Sequence, residues 1–398
     1  MHWRTYLHYF LLLVEASVFS LKLGILVYAA NMVFVLTYNS PCSDEEALKT
    51  IHKLCLDALN KKAFGNLCLP LCESLDLQYS FCTNGGEKDV FFMSWDNSIT
   101  PSPAQLVMKR TRFTDQIVNN LYSTKRDDFV NVFLTELKTL VNRHTKSKYI
   151  GNMKDLLQLF WTIEEDKHLK HENVDFLRNV IGLAFQSEYM FMLLHPIGNI
   201  APSLRGSCGQ FYFMEHVPLR LSDVAITWSS QVSIAVKLLD LVQQMEDAYF
   251  ERLHMCDVKA DNFGLDDNNH LKLLDIDSLH FHSALVRKMS DQHCLHDRDC
   301  QVWNCRGLCN MTSQKCRPLR FNSNLQNVCE EIFLGADSYD GLLSNPPSSV
   351  GDDLREILHS CVVSNHISDV DQDFTSQEMK IIDLLKTILK KKTTSSIR

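Results

Sequence analysis

Asp257, Lys259, Asn262 and Asp275 stand in the stretch His254–Leu279 at the offsets that phosphoryl-transfer chemistry uses. In such sites one Asp accepts the proton of the attacking hydroxyl. An Asn five residues on holds a metal ion, and a later Asp holds the metal that bridges the phosphates. Asp257 and Asn262 have that separation, and Asp275 supplies the second acid. Lys259 lies between them, where its charge would neutralise the transferring phosphate. Taken singly, each is also what a solvated polar loop would contain; the joint spacing singles them out.

The residues between Asn262 and Asp275 make sense as a scaffold for two metal ligands. Asn262-Phe263-Gly264-Leu265 reads as a short strand, Asp266-Asp267-Asn268-Asn269 has turn chemistry, and Leu271-Lys272-Leu273-Leu274 reads as a return strand. Such a hairpin would bring Asn262 and Asp275 together as oxygen ligands for a divalent cation bound to a nucleotide.

On these residues the stretch resembles the catalytic loop of a protein kinase. More closely it resembles the divergent protein kinase domain family, type 1, cysteine-rich single-pass proteins of the endoplasmic reticulum. The resemblance implies an α+β, bilobal protein-kinase-like fold with a disulfide-rich N-terminal cap, a helical insert in the N-lobe and a cysteine-rich C-lobe. It implies Asp257 as base, Lys259 on the phosphate, and Asn262 and Asp275 binding Mg²⁺ or Mn²⁺ with ATP. Leu106-Val107-Met108-Lys109 resembles the strand that ends in the phosphate-gripping lysine, which makes Lys109 the candidate. Glu188, ahead of His195-Pro196, is the candidate for the helix glutamate that pairs with that lysine, with Glu136 as the alternative. Gln210–Pro218 resembles the strand and hinge whose backbone, near Glu215–Val217, would face adenine.

Departures from the kinase pattern are equally plain. No G-x-G-x-x-G is present, and Gly85-Gly86 is the only glycine pair near the expected place. Cys256 occupies the position of the arginine that reads activation-loop phosphorylation. Asp275-Ile276-Asp277 replaces the D-F-G triplet, and Asp277 reads best as a surface cap. The related family carries an EF-hand-like insert, but Asn142–Lys148 offers bases where a calcium loop needs carboxylates, so no calcium is expected there.

At 398 residues the chain has room for one large or two ordinary domains. The net charge of −8, with no basic stripe, argues against nucleic acid as the main partner. All fourteen Cys, from Cys42 to Cys361, follow the one strongly apolar N-terminal stretch. That points to disulfides in an oxidising compartment, since the paired C-x-x-C spacings of zinc sites are missing. Residues 17–38 read as a transmembrane signal anchor after a short cytosolic tail, 1–16. Arg4 precedes it, Lys22 lies near its N-terminal end where it can snorkel to the interface, and Asp44, Glu45 and Glu46 follow it. Cleavage near Ala29-Ala30 is the alternative, against which the continuing run Met32–Leu36 argues. The expected location is the endoplasmic reticulum membrane as a single-pass type II protein, or the Golgi, with the bulk of the chain lumenal. The sequon Asn310-Met311-Thr312 agrees with lumenal exposure.

The remaining boundaries fall at 39–84 for a cysteine-rich region, 85–217 for the N-lobe with its insert, and 218–398 for the C-lobe with the cysteine-rich segment 294–329. Periodicity predicts a helix over Glu45–Ala63 burying Ile51, Leu54, Cys55, Ala58 and Leu59, helices through the insert, and a helix over Ser230–Arg252. Close cysteine spacing within 294–329 favours local bridges there, and Thr375-x-x-Glu378 reads as a capping box opening a helix over Gln377–Lys391. The function expected is ATP-dependent transfer of phosphate to a hydroxyl of a secretory-pathway protein or glycan. The alternative is a pseudokinase, a lumenal binding or scaffold module without turnover.

Overall fold

Strands with a buried face organise the first of two compact units, which takes in Met1–Thr135, Phe160–Gln186 and Arg205–Phe213. The computed structural model describes residues 42–96, 104–124, 129–145, 157, 160, 174–195, 200–223, 227–247, 251–290, 292–335, 340–363 and 371–391. The expected anchor at 17–38, the tail before it and Lys146–Lys148 of the insert lie outside the described residues. Among the described residues no helix is long and apolar enough to cross a membrane.

The sheet contains β1 (Leu77–Gly85), β2 (Lys88–Trp95), β3 (Ala104–Thr111), β4 (Leu204–Cys208) and β5 (Phe211–Glu215), in the order β1-β2-β3-β5-β4. β3 lies where the sequence predicts a strand, over Leu106–Lys109. β1 does not: it falls inside the segment read as a cysteine-rich cap. Its alternation is broken by a bulge between Tyr79 and Phe81, which puts later residues out of phase. A two-residue turn at Gly86-Glu87 closes the β1–β2 hairpin, with Gly86 at φ +63°, the left-handed region that glycine enters without a Cβ penalty.

Leu77, Phe91, Met93, Leu106, Met108, Phe211 and Phe213 form the core of this sheet, covered by α1 (Asp44–Leu59) and α2 (Cys68–Cys72). Asp44, Glu45 and Glu46 in the first turn of α1 suit its positive dipole end. The helix stops short of Ala63 because the chain reverses at Lys61, φ +57°. Leu59, expected on the buried face, is therefore 58% exposed. Disulfides Cys42–Cys82, Cys55–Cys72 and Cys68–Cys208 pin this cap, the last across 140 residues. The buried amide of Gln186 accepts from the Thr111 N–H and donates to the carbonyls of Gly182 and Gln210, tying β3 to the β4–β5 turn.

The insert is helical as predicted, with α3 (Thr114–Thr124), α4 (Phe129–Thr145) and α5 (Val174–Ala184). Phe133, Leu137 and Leu140 of α4 are buried, at the spacing of one helix face.

The second unit comprises Glu136–Leu159, Ser187–Leu204 and Met214–Arg398. It contains α6 (Ser187–Leu194) and α7 (Trp228–Asp247), whose apolar face buries Ile234, Leu238, Leu241, Val242 and Met245, while Tyr249, at the same helical spacing, lies outside the described residues. A three-stranded sheet orders β6 (Leu219–Arg220), β8 (Phe263–Leu265) and β9 (Leu271–Leu273), and β7 (Leu253–Met255) pairs with β10 (Leu279–Phe281), which leads into α8 (His282–Ser290). Hairpins β11–β12 (Gln301–Val302, Cys305–Arg306) and β13–β14 (Cys309–Asn310, Lys315–Cys316) fill the cysteine-rich segment. Then come α9 (Asn324–Asn327), a π-helical stretch Val328–Gly335, α10 (Gly351–Val363) and α11 (Asp371–Lys391).

Cys294–Cys309 and Cys300–Cys316 are local bridges, and their sulfurs form a small buried cluster in place of an apolar core. Cys256–Cys305 and Cys329–Cys361 reach outside the segment. Among the described residues every cysteine is paired, as the disulfide reading expects. α11 begins at Asp371, so Thr375 lies inside the helix and no capping box forms there. Glu378 is instead a buried side chain.

Candidate active site

The turn Asp266–Asn269 brings the two strands of the β8–β9 hairpin back on each other. Oδ1 of the buried Asp266 accepts from the N–H groups of Asn268 and His270, and Asn269 takes φ +61°. Phe263 pairs with Leu273, and the Leu274 N–H donates to the carbonyl of Asn262 at 2.7 Å. Asn262 and Asp275 are thereby brought to one end of the hairpin.

Asp257, Lys259 and Asn262 converge. The Asn262 Nδ2 donates to both the carbonyl and the Oδ2 of Asp257, each at 2.9 Å. Its Oδ1 is left as the atom able to bind a metal. The Lys259 Nζ donates to the same Oδ2 at 2.9 Å, with its side chain 54% exposed against 19% for Asp257. One carboxylate oxygen of Asp257 therefore carries two donors.

Beside them, ligand-capable oxygens of Glu188, Asp275 and Asp277 all lie within 4.8 Å of one another. Glu188 is buried in the first turn of α6, Asp277 is exposed, and the Asp277 N–H donates to Oδ1 of Asp275. Oxygen-only ligands fit a hard divalent cation such as Mg²⁺ or Mn²⁺. Asp277, which the sequence suggests is a surface cap, joins this group of carboxylates.

The backbone that carries Asp257 is held from both sides. Cys256, fully buried, is bridged to Cys305. The Asn304 N–H donates to the Cys256 carbonyl, and the Asn304 Oδ1 accepts from the Val258 N–H, both at 2.7 Å. Asn304 Nδ2 in turn donates to Glu331 of the π-helical stretch. Burial raises the Glu331 carboxyl above its usual range, and the charges of Glu330 and Asp257 add to the effect.

Before the loop, Asn324 completes the edge of β7. Its Oδ1 accepts from the Met255 N–H and its Nδ2 donates to the Leu253 carbonyl. Arg320 donates to the Asn324 Oδ1 and to Nδ1 of His254, so the proton of His254 sits on Nε2, 3.0 Å from Nδ1 of His282. Burial, reinforced by the Arg320 charge, lowers the His254 pKa well below the usual value and keeps it neutral. Neither Asn304, Asn324 nor Glu331 was signalled by the sequence, because each acts through a fold contact distant along the chain.

Of the remaining sequence candidates, Lys109 is half-buried on β3, opposite Val90. Glu136 lies on α4. Glu215 accepts the Ser203 N–H through Oε2, and the buried Val217 lies where a Cβ on Gly264 of β8 would meet it at 2.8 Å.

Residues 180–364 match the family model described as the protein-kinase domain of FAM69. This part of the chain matches a divergent, kinase-like family. The match spans just under half of the chain and includes Glu188, Asp257, Lys259, Asn262, Asp275 and Asp277. The kinase-like segment thus contains both the convergent loop and the carboxylate group, while Lys109 lies outside it.

Proposed function

We propose that this kinase-like protein transfers the γ-phosphoryl group of ATP to a hydroxyl of a secretory-pathway protein or glycan. The observation that carries the reading is the convergence of Asp257, Lys259 and Asn262 next to Asp275 at the end of one hairpin. Asp257 takes the proton of the acceptor hydroxyl as its oxygen bonds to the γ-phosphorus, and the bond to the β–γ bridging oxygen breaks to release ADP. Lys259, held on the same carboxylate, offsets charge on the moving phosphoryl group. Asn262 and Asp275, joined by Glu188 and Asp277, are the residues to hold Mg²⁺ or Mn²⁺. When bound, that ion supplies charge neutralisation at the phosphate oxygens. Lys109 and Glu188 are the candidates to orient the phosphates, and backbone groups at Glu215 and Val217 those to face adenine. Seven disulfides favour a lumenal location, since a reducing cytosol does not maintain them. The sequon Asn310 is exposed at the start of the β13–β14 turn, in keeping with glycosylation.

One observation favours the non-catalytic scaffold instead. The β1–β2 connection is a tight two-residue turn without the glycine spacing that lets a loop fold over phosphates. Asp257→Asn separates the two readings. Phosphate transfer to a secreted-protein extract from labelled ATP should fall at least about 10²-fold in the variant while metal-dependent nucleotide binding persists. Nucleotide binding with no transfer above background by the native protein would favour the scaffold.

A further inference from the structure

The hairpin that grips the candidate catalytic loop has an exposed tryptophan at its tip. β11 and β12 are joined by the two-residue turn Trp303-Asn304. Trp303 is 71% exposed, more than any other large apolar side chain described, and its φ of +51° is in the left-handed region that a bulky side chain rarely adopts. Such strain persists where the surroundings enforce it, and it clusters at functional sites. Here the surroundings are known. Asn304, the next residue, is bonded to the peptide groups on both sides of Asp257. The indole is therefore anchored one residue from the clamp on the candidate base.

We infer that Trp303 is a stacking platform for a pyranose ring, so that the acceptor hydroxyl is carried by a glycan. The inference rests on the kinase reading above and assigns the substrate class of that site. A sugar ring presents an apolar C–H face to a flat aromatic surface and a rim of hydroxyls to neighbouring charges. An aromatic side chain with one apolar face and a wet surrounding suits such a partner. Arg306, on the strand leaving the turn, is ion-paired with Glu330 of the π-helical stretch, and both are partly exposed groups of the kind that bond vicinal hydroxyls. An apolar peptide anchor instead calls for a desolvated pocket, whereas Trp303 stands out at a hairpin tip.

The strained backbone gives a test in which loss of binding and loss of fold are separable. Trp303→Gly removes the ring and puts glycine where φ is positive, so the variant should unfold at the same or a higher temperature than the native protein. Saturation-transfer NMR on the full chain in detergent, with a mixture of chitobiose, xylobiose, lactose and cellobiose, reads sugar contact. A pool of Ser- and Thr-containing peptides is run beside it. The expected result is transfer to at least one sugar by the native protein and Trp303→Tyr, and at least a tenfold loss in Trp303→Gly. No transfer to any of these sugars from the native protein, or undiminished transfer from the glycine variant, would overturn the inference. So would Trp303-dependent contact with the peptides alone. A nucleotide-dependent thermal shift, measured on the same samples, reports separately on the kinase reading. Sugar contact through Trp303 without such a shift would uphold the platform and sink the phosphoryl-transfer reading.

Discussion

Asp257 is useful to a phosphoryl-transfer reaction only if its charge and direction are fixed, and single side chains do most of the fixing. Asn262 and Lys259 take one oxygen. Behind the loop, a group of buried ionisable residues contributes to stability in ways that solution measurements can read. Burial raises the Glu378 carboxyl from 4.5 to about 7, while Ser323, Arg252 and Arg320 oppose that rise and Glu246 adds to it. The unfolded chain gives up this proton near 4.5 and the folded one holds it to about 7. Stability therefore falls as pH rises through that window, by about 3 kcal/mol when complete. Glu378→Gln should match the native protein near pH 4.5 and exceed it at pH 8 in urea denaturation. An identical pH dependence in both proteins would refute this. Gln186 offers a second test in the first unit. Gln186→Ala leaves the Thr111 N–H and two carbonyls without that amide, and should lower the unfolding free energy by about 1–3 kcal/mol.

Short elements pinned by cross-links hold the backbone around Asp257 in place. The Cys256–Cys305 bridge and Asn304 hold the loop from the β11–β12 hairpin, and Asn324 holds β7 from α9. Cys256→Ser with Cys305→Ser should lower stability by about 2–5 kcal/mol by denaturant titration and weaken transfer more than nucleotide binding. Equal loss of both activities would show that the bridge supports the whole unit and not the loop. At this scale the sequence is readable where interactions are local. The β8–β9 hairpin, the apolar face of α7 and the helical insert follow from turn residues and periodicity. β1 is hidden by a bulge after Tyr79 that breaks its alternation. The capping box at Thr375 is a local pattern overridden by a helix that starts four residues earlier, at Asp371. The bridges Cys68–Cys208 and Cys256–Cys305 depend on topology, which spacing does not encode. One arithmetic hint existed: the five cysteines from Cys42 to Cys82 cannot all pair among themselves.

Across the whole molecule, disulfides fasten segments far apart in sequence within each unit, and the kinase-like match lies over the residues that carry the site. On the proposed function, this fold holds a metal-dependent nucleotide site built on Asn262 and Asp275. Thermal unfolding of the purified chain with ATP and Mg²⁺ or Mn²⁺, beside Asp275→Ala, tests it most directly. At about 100 times the dissociation constant, bound nucleotide should add roughly 2.7 kcal/mol of stability to the native protein. The expected shift requires the metal and disappears in the variant. A folded native protein that shows no shift, or a variant that shows the same one, would contradict it.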